Sequence, residues 1–417
     1  GFNSTGTTTV TIDGGTIEKA QGGGGGAGIG SGFDTTGTTT VTITSGTIKN
    51  ATGGNLGDGI GGGGIKNGSE STNITVEIKG GTIETAQGGK GDKFRNAGDG
   101  IHSDKALTIS GNATIVSATG GGCGSDATNR YAGHGIYSGG DLTIETGSKI
   151  NNAQGGNATD NNMNGGDGIH SNGKIEIKGT IETTQGGKGI SLGGDGIYSQ
   201  GNLTISDSAT ITNAKGGDST GMSGKGGSGI HSGGELIISQ SDPSQSATSK
   251  GATIGIAQGG TATGSSGTGG AGIRSYSSLT IGNATIGTAK GGDSTGMSGK
   301  GGDGIYSRND LTISGATIGK WKTDGKTNTP DTDTGALGGT ADAGPLGGRG
   351  IHSDGKIDIT DSKIGNAKGG DGKVPSYSSN VSHGIYSKKE LTITGSTIGN
   401  AQGGNGRNGG TGIYSDS

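Results

Sequence analysis

The dipeptide Gly-Ile recurs twelve times as a landmark, with its isoleucines at Ile29, Ile60, Ile101, Ile136, Ile169, Ile197, Ile230, Ile273, Ile305, Ile351, Ile385 and Ile413. A fixed train of residues follows it. From Ile101 onward a second apolar pair starts six positions later, as in Leu107-Thr-Ile109, Leu142-Thr-Ile144, Leu203-Thr-Ile205 and Leu391-Thr-Ile393. A third landmark, Ile-x-x-Ala-x-Gly-Gly, comes next, as in Ile211 to Gly217 and Ile398 to Gly404. A period of this kind marks a repeat architecture and restricts the fold before anything else does.

Alternation in Leu-x-Ile places both aliphatic side chains on one face and the middle residue on the other. Helical spacing is absent. Three strands too short to pair within one repeat must pair with their counterparts in the repeats before and after. The expected fold is therefore all-β, a right-handed parallel β-helix (β-solenoid) of about 12 three-strand coils with glycine-rich loops at one corner. Residues 1–417 read as a single continuous solenoid, with divergent N-terminal coils over 1–98 and regular coils with variable loops over 99–417. The inward set of one coil is expected to be Ile101, Ser103, Leu107, Ile109, Ile115 and Ala118.

Composition agrees once the repeat is known. Only 25% of the 417 residues are hydrophobic, too few for an ordinary core but enough for a thin column of stacked isoleucines. The formal charge of −4 lacks the strong imbalance usual in disordered chains, and no basic run argues for nucleic acid. Among the 105 glycines, those beside the landmarks suit corners that need positive φ or close approach between coils. The others crowd into insertions that leave one corner, including AKGGDSTGMSGKGG at both 214–227 and 289–302. Such loops are either mobile or packed as extended glycine chains. Cys123 is the only cysteine, so no disulfide framework or cysteine-based metal site exists. No run approaches the roughly 20 apolar residues of a membrane span. The chain starts at Gly1 without a signal-peptide pattern and reads as a mature or excised segment.

Motifs such as GDGIHSNGKIEIKG (166–179) and GDGIYSQGNLTIS (194–206) resemble the repeats of right-handed parallel β-helix proteins of bacterial surfaces, in particular clostridial carbohydrate-binding β-helix domains. The resemblance covers nearly the whole chain. It implies an extracellular or cell-surface protein and a polysaccharide partner. It also implies calcium at acidic loop positions, here Asp58, Asp99, Asp167, Asp195 and Asp303, each just before a landmark. Seven coils carry Ala27, His134, Ser228, Ala271, Arg349, His383 or Thr411 there instead, against a calcium role common to all coils.

An enzyme needs a local cluster of unlike groups. Outward strand positions are mostly threonine, with Glu77, Glu176 and Asp358 several coils apart, and the serine of Gly-Ile-His-Ser faces away from its histidine. The chain is expected to be non-enzymatic, with no required cofactor. Threonine rows can bind ice, but these straddle a corner and are broken by Glu77, Lys149, Glu176, Ile237 and Lys363. The residue after each landmark isoleucine forms a planar strip: His102, Tyr137, His170, Tyr198, His231, Arg274, Tyr306, His352, Tyr386 and Tyr414. Facing out, this strip either contacts a ligand or a neighbouring molecule, or stacks on itself. The ends, TGIYSDS and GFNSTGTTTVTI, read together as one coil. Joining them puts 14 positions from Ile413 to Val10, against 12 from Ile29 to Val41 and 16 from Ile60 to Val76. The leading expectation is a structural subunit or segment of a bacterial surface filament that self-associates end to end. The alternative is a carbohydrate-binding adhesin that uses the strip, with or without calcium.

Overall fold

The computed structural model describes residues 5–63, 73–92, 95–124, 131–159, 163–239, 251–323, 328–373, 382–406 and 409–416. The start of the GFNS head lies outside them. Among the described residues every element is β, and short strands stack in parallel as a β-solenoid of about 11 turns. They fall into two compact units, Gly1–Gly201 and Asn202–Ser417.

In the first unit the Gly-Ile strands Ile29–Gly30, Ile60–Gly61, Ile101–Ser103, Ile136–Ser138, Ile169–Ser171 and Ile197–Ser199 pair isoleucine over isoleucine. In the second unit Ile230–Ser232, Ile273–Ser275, Ile305–Ser307, Ile351–Ser353, Ile385–Ser387 and Ile413–Ser415 do the same. The other two strands of each coil share a second sheet, as Leu107–Ile109 on Leu142–Ile144 and Thr253–Gln258 on Thr285–Lys290. In the first two coils they merge into ten-residue strands, Thr8–Ile17 and Thr39–Ile48, with a register shift between Ile12 and Thr16.

All six residues of the expected inward set are fully buried, and the same columns repeat through each unit. Burying one large aliphatic side chain stabilises by roughly 1.5–3 kcal/mol. The buried serine holds the corner between the first two strands: Ser307 Oγ donates to the carbonyls of Asp310 (3.0 Å) and Ser277 (3.1 Å).

Glycines beside the landmarks serve both expected uses, with positive φ at Gly30 and Gly61 after the isoleucine and close approach before it, and other corners take positive φ as well. The turn between the second and third strands takes positive φ at Gly111, Asn112, Asp207, Asn283, Gly315, Asp361 and Gly395, where Gly, Asn and Asp are the residues that tolerate it. The glycine before a landmark serves close approach instead, since a Cβ on Gly100 would lie 2.5 Å from the Gly135 oxygen.

At the loop corner, outgoing and returning glycines hydrogen-bond to one another from coil to coil, with Ser382 in place of a glycine in one coil. In the second unit Gly227 N–H donates to Gly217 O, Gly260 to Gly227, Gly270 to Gly260, Gly292 to Gly270 and Gly302 to Gly292, at 2.7–2.9 Å. Longer insertions also stack, with Ser219, Ala262, Ser294 and Ala341 bridged in parallel. Met163, Ala97, Cys123, Ala132 and Ala158 form a small apolar cluster of their own beneath the loops of the first unit.

Candidate functional site

The planar strip forms a register column in each unit. His102, Tyr137, His170 and Tyr198 align in the first, and His231, Arg274, Tyr306, His352, Tyr386 and Tyr414 in the second. Ring centroids are 4.6 Å apart for His102–Tyr137, 5.3 Å for Tyr137–His170 and 4.9 Å for Tyr306–His352, close to the strand spacing itself. The strip is not an open platform. His102, His231 and His352 are buried, six others are half-buried, and only Tyr414 is exposed, at 41%. Side-chain alternation assigns a residue to a face but says nothing of what stands beside it there.

What stands beside it is a second column, two positions before each landmark isoleucine, which contains the five aspartates. Asp58 and Asp99 are buried, while Asp167, Asp195 and Asp303 are half-buried. Six side chains of this column, Asp58, Asp99, His134, Asp167, Asp303 and His383, capture the backbone N–H of their counterpart in the next coil. Asp58 Oδ1 accepts from the Asp99 amide (2.7 Å), Asp99 Oδ1 from His134 (2.5 Å), and Asp167 Oδ1 from Asp195 (2.5 Å). Asp303 Oδ1 accepts from Arg349 at 2.7 Å. Histidine does the same work as a neutral ring: His134 Nδ1 accepts from the Asp167 amide (2.9 Å) and His383 Nδ1 from Thr411 (3.2 Å). Burial pushes the His134 pKa down to about 4, helped by His170, and lowers that of His383, which keeps both acceptors unprotonated.

The second carboxylate oxygen reaches the planar column. His102 Nδ1 lies 2.6 Å from Asp99 Oδ2, His170 Nδ1 2.6 Å from Asp167 Oδ2, and His352 Nδ1 2.7 Å from Asp303 Oδ2 of the preceding coil. Burial disfavours charge on these rings, but the surrounding acceptors outweigh it and raise all three histidine pKa values, His102 well above the ordinary range. Asp99, Asp167 and Asp303 move down, because the facing histidines overcome the desolvation that would raise them. Asp58 behaves differently: burial pushes it up to about 7 against the attraction of His102.

A third column, three positions after the landmark, closes the network and explains the alternation of tyrosine and histidine. The short histidine ring bonds within its own coil, His102 Nε2 to Asp104 Oδ1 (3.2 Å) and His170 Nε2 to Asn172 Oδ1 (3.0 Å). The longer tyrosine reaches the next coil: Tyr306 Oη donates to Asp354 (2.7 Å) and Tyr386 Oη to Asp416 (2.6 Å), while Tyr137 Oη accepts from Asn172 (2.7 Å). Arginines of two columns lie over rings, Arg274 of the planar column 4.4 Å from Tyr276 and Arg349 of the aspartate column 4.1 Å from Tyr386. Asp104, Asn172, Asp354 and Asp416 belong to no motif that marks them, and His134 and His383 stand out in the sequence only as departures from the aspartate column. Their constant offset from the landmark was the available signal.

Tyr306→Phe keeps the ring and removes only the bond to Asp354. It is expected to cost about 1 kcal/mol, seen as a lowered denaturation midpoint of the second unit with unchanged β content by circular dichroism.

Among the described residues two groups bring three metal-ligating side chains together, Asp58 with Asp99 and His102, and His134 with Asp167 and His170. Asp303 and Arg349 also line a cleft of about 200 Å³ with Thr268, Lys300 and Leu346. That is below the roughly 300–1,000 Å³ of a typical small-molecule site. Another cleft, of about 320 Å³, lies over the glycine corner between Lys290, Asp333, Lys368 and Asp371, with no ring of the planar column in its wall. Among the described residues no helix is long and apolar enough to cross a membrane. No family model, no curated protein and no solved structure matches the chain.

Proposed function

We propose that this chain is a non-enzymatic structural β-solenoid that extends a bacterial surface filament by end-on stacking of coils. One observation carries the reading. The columns that bind each coil to the next, isoleucine over isoleucine and ring over ring, repeat in the same register from coil to coil, so the edge of a coil presents the groups to which the next one bonds. An exposed parallel edge with apolar and ring columns in register is a template for another coil. The ladder favours a structural role over a sugar platform, because its rings and carboxylates are spent on bonds between coils. The likeness of GDGI…LTI motifs to clostridial surface domains supports the extracellular setting.

Negative-stain electron microscopy and light scattering of the purified chain test this. Rods that join end to end at rising concentration are expected, and Ile413→Asp should shorten them to single particles. Wild-type particles that stay single and short at high concentration would sink the proposal. Glycan binding lost in a folded Tyr137→Ala, Tyr198→Ala, Tyr386→Ala variant would instead favour the adhesin, and chelation of calcium would then show whether that binding needs the ion.

A further inference from the structure

We propose that His134, Asp167 and His170 form a transition-metal site that takes Zn²⁺ or a neighbouring divalent ion through two imidazoles and one carboxylate. Their donor atoms all lie within 4.8 Å of one another. Asp167 Oδ2 is 2.6 Å from His170 Nδ1 and 3.5 Å from His134 Nδ1. The two imidazoles lie 4.3 Å apart and are tilted by 40°. Elsewhere in the ladder, among the described residues, a histidine's ring neighbours are tyrosines. This is the place where one coil's acceptor column and the next coil's planar column both supply histidine.

The donor set decides the kind of ion. Two nitrogens and one carboxylate suit Zn²⁺, Ni²⁺, Co²⁺ or Cu²⁺, whereas Ca²⁺ takes six to eight oxygens. The surroundings resemble a prepared coordination shell. Asp167 Oδ1 stays held by the Asp195 amide at 2.5 Å, which orients the carboxylate. Tyr137 stacks 5.5 Å from His134 and 5.3 Å from His170, and Tyr198 lies 4.9 Å from His170, so rings flank the site on both sides. On binding, the ion takes the place of the proton held between Asp167 and His170, which is released to solvent. His134 turns its Nδ1 lone pair from the Asp167 amide to the ion.

The other clusters are less suited. Asp58 and Asp99 hold a donor on each of their four oxygens: the amides of Asp99 and Gly62 on Asp58, and the His134 amide and the His102 ring on Asp99. At Asp303 and His352 the guanidinium of Arg349 stands 3.4 Å from the ring and repels a cation.

The test uses the whole chain, stripped with a chelator and titrated with Co²⁺ by visible absorption and with Zn²⁺ by calorimetry. One strong site per chain is expected, and Cu²⁺ loading should give an electron paramagnetic resonance spectrum with splitting from two nitrogens. His134→Gln keeps an acceptor for the Asp167 amide while removing the imidazole, so it should fold. It and His170→Ala should each weaken binding by roughly 10-fold or more, and His352→Ala should leave it unchanged. Folded wild-type chain that binds no ion would overturn the site. So would a copper spectrum without nitrogen splitting, or equal affinity in His134→Gln.

Discussion

Gly270→Ala is expected to destabilise the second unit by about 3 kcal/mol, the upper end of what overpacking a close-packed region costs, although it adds one methyl group to a loop. The Cβ would lie 1.8 Å from the Gly227 oxygen and 2.5 Å from its carbon, both backbone atoms that cannot rotate away. That oxygen is also the acceptor of the Gly260 amide, at 2.7 Å. Relief of the clash therefore breaks the glycine column at the point where it joins two coils, and the strain passes to both neighbours. Gly282→Ala makes the control. Its Cβ would meet Ser239 Cβ at 3.5 Å, an ordinary contact, and its φ is not in the left-handed region. Where the native backbone suits alanine, the change stabilises by about 0.4–1 kcal/mol through the unfolded chain. Chemical denaturation followed by circular dichroism should separate the two variants, with hydrogen exchange at Gly292 reporting the local break. Equal stabilities would mean that the glycine corner is soft and that its bonds contribute little.

That contrast shows what could be read from residues alone. Ile101, Leu107, Ile109, Ile115 and Ala118 announce themselves through a period of two inside a longer repeat, because burial and strand geometry impose the same spacing in every coil. Glycine at the loop corner is visible as composition, but its bonding is not, since an extended glycine chain has no side-chain pattern from which to infer a partner. The ladder lies between these cases. His102, Tyr137 and His170 are legible as one column, and the choice of His or Tyr at each rung is not. That choice depends on Asp303 meeting His352 across 49 residues and on Tyr306 meeting Asp354 across 48. Insertions of unequal length hide such neighbours in the sequence, and only the stacking of coils aligns them.

Asp303→Ala is expected to cost roughly 3–5 kcal/mol near pH 5.5, because it strands a buried charge. The carboxylate serves His352 through Oδ2 at 2.7 Å and the Arg349 amide through Oδ1 at 2.7 Å; the amide loses its partner, and the ring is left with Asp354 Oδ1 at 3.5 Å. The groups facing His352 are Asp303, Asp354, Arg349, Tyr306 and Tyr386. Burial and Arg349 oppose charge on the ring, and Asp303 and Asp354 outweigh them, so its folded pKa is above the unfolded value of about 6.5. Stability from that source is fully present below pH 6.5 and disappears as pH rises through the folded pKa. Asp354 is lowered to about 2 by its bond to His352, against burial, and Asp303 is also lowered. Their contribution is present above the unfolded carboxylate value of about 4 and disappears as pH falls through the folded values. The window of greatest effect is thus about pH 4 to 6.5. Other histidines titrate as well, so the measurement is a difference: wild type minus His352→Gln, by urea denaturation at several pH values. The gap should be widest inside the window and narrow on both sides of it, and the cost of Asp303→Ala should fall at high pH toward that of lost neutral hydrogen bonds. A gap that stays constant from pH 5 to 9.5 would show that the ring is neutral throughout. The ladder would then be held by stacking and amide capture without an ion pair.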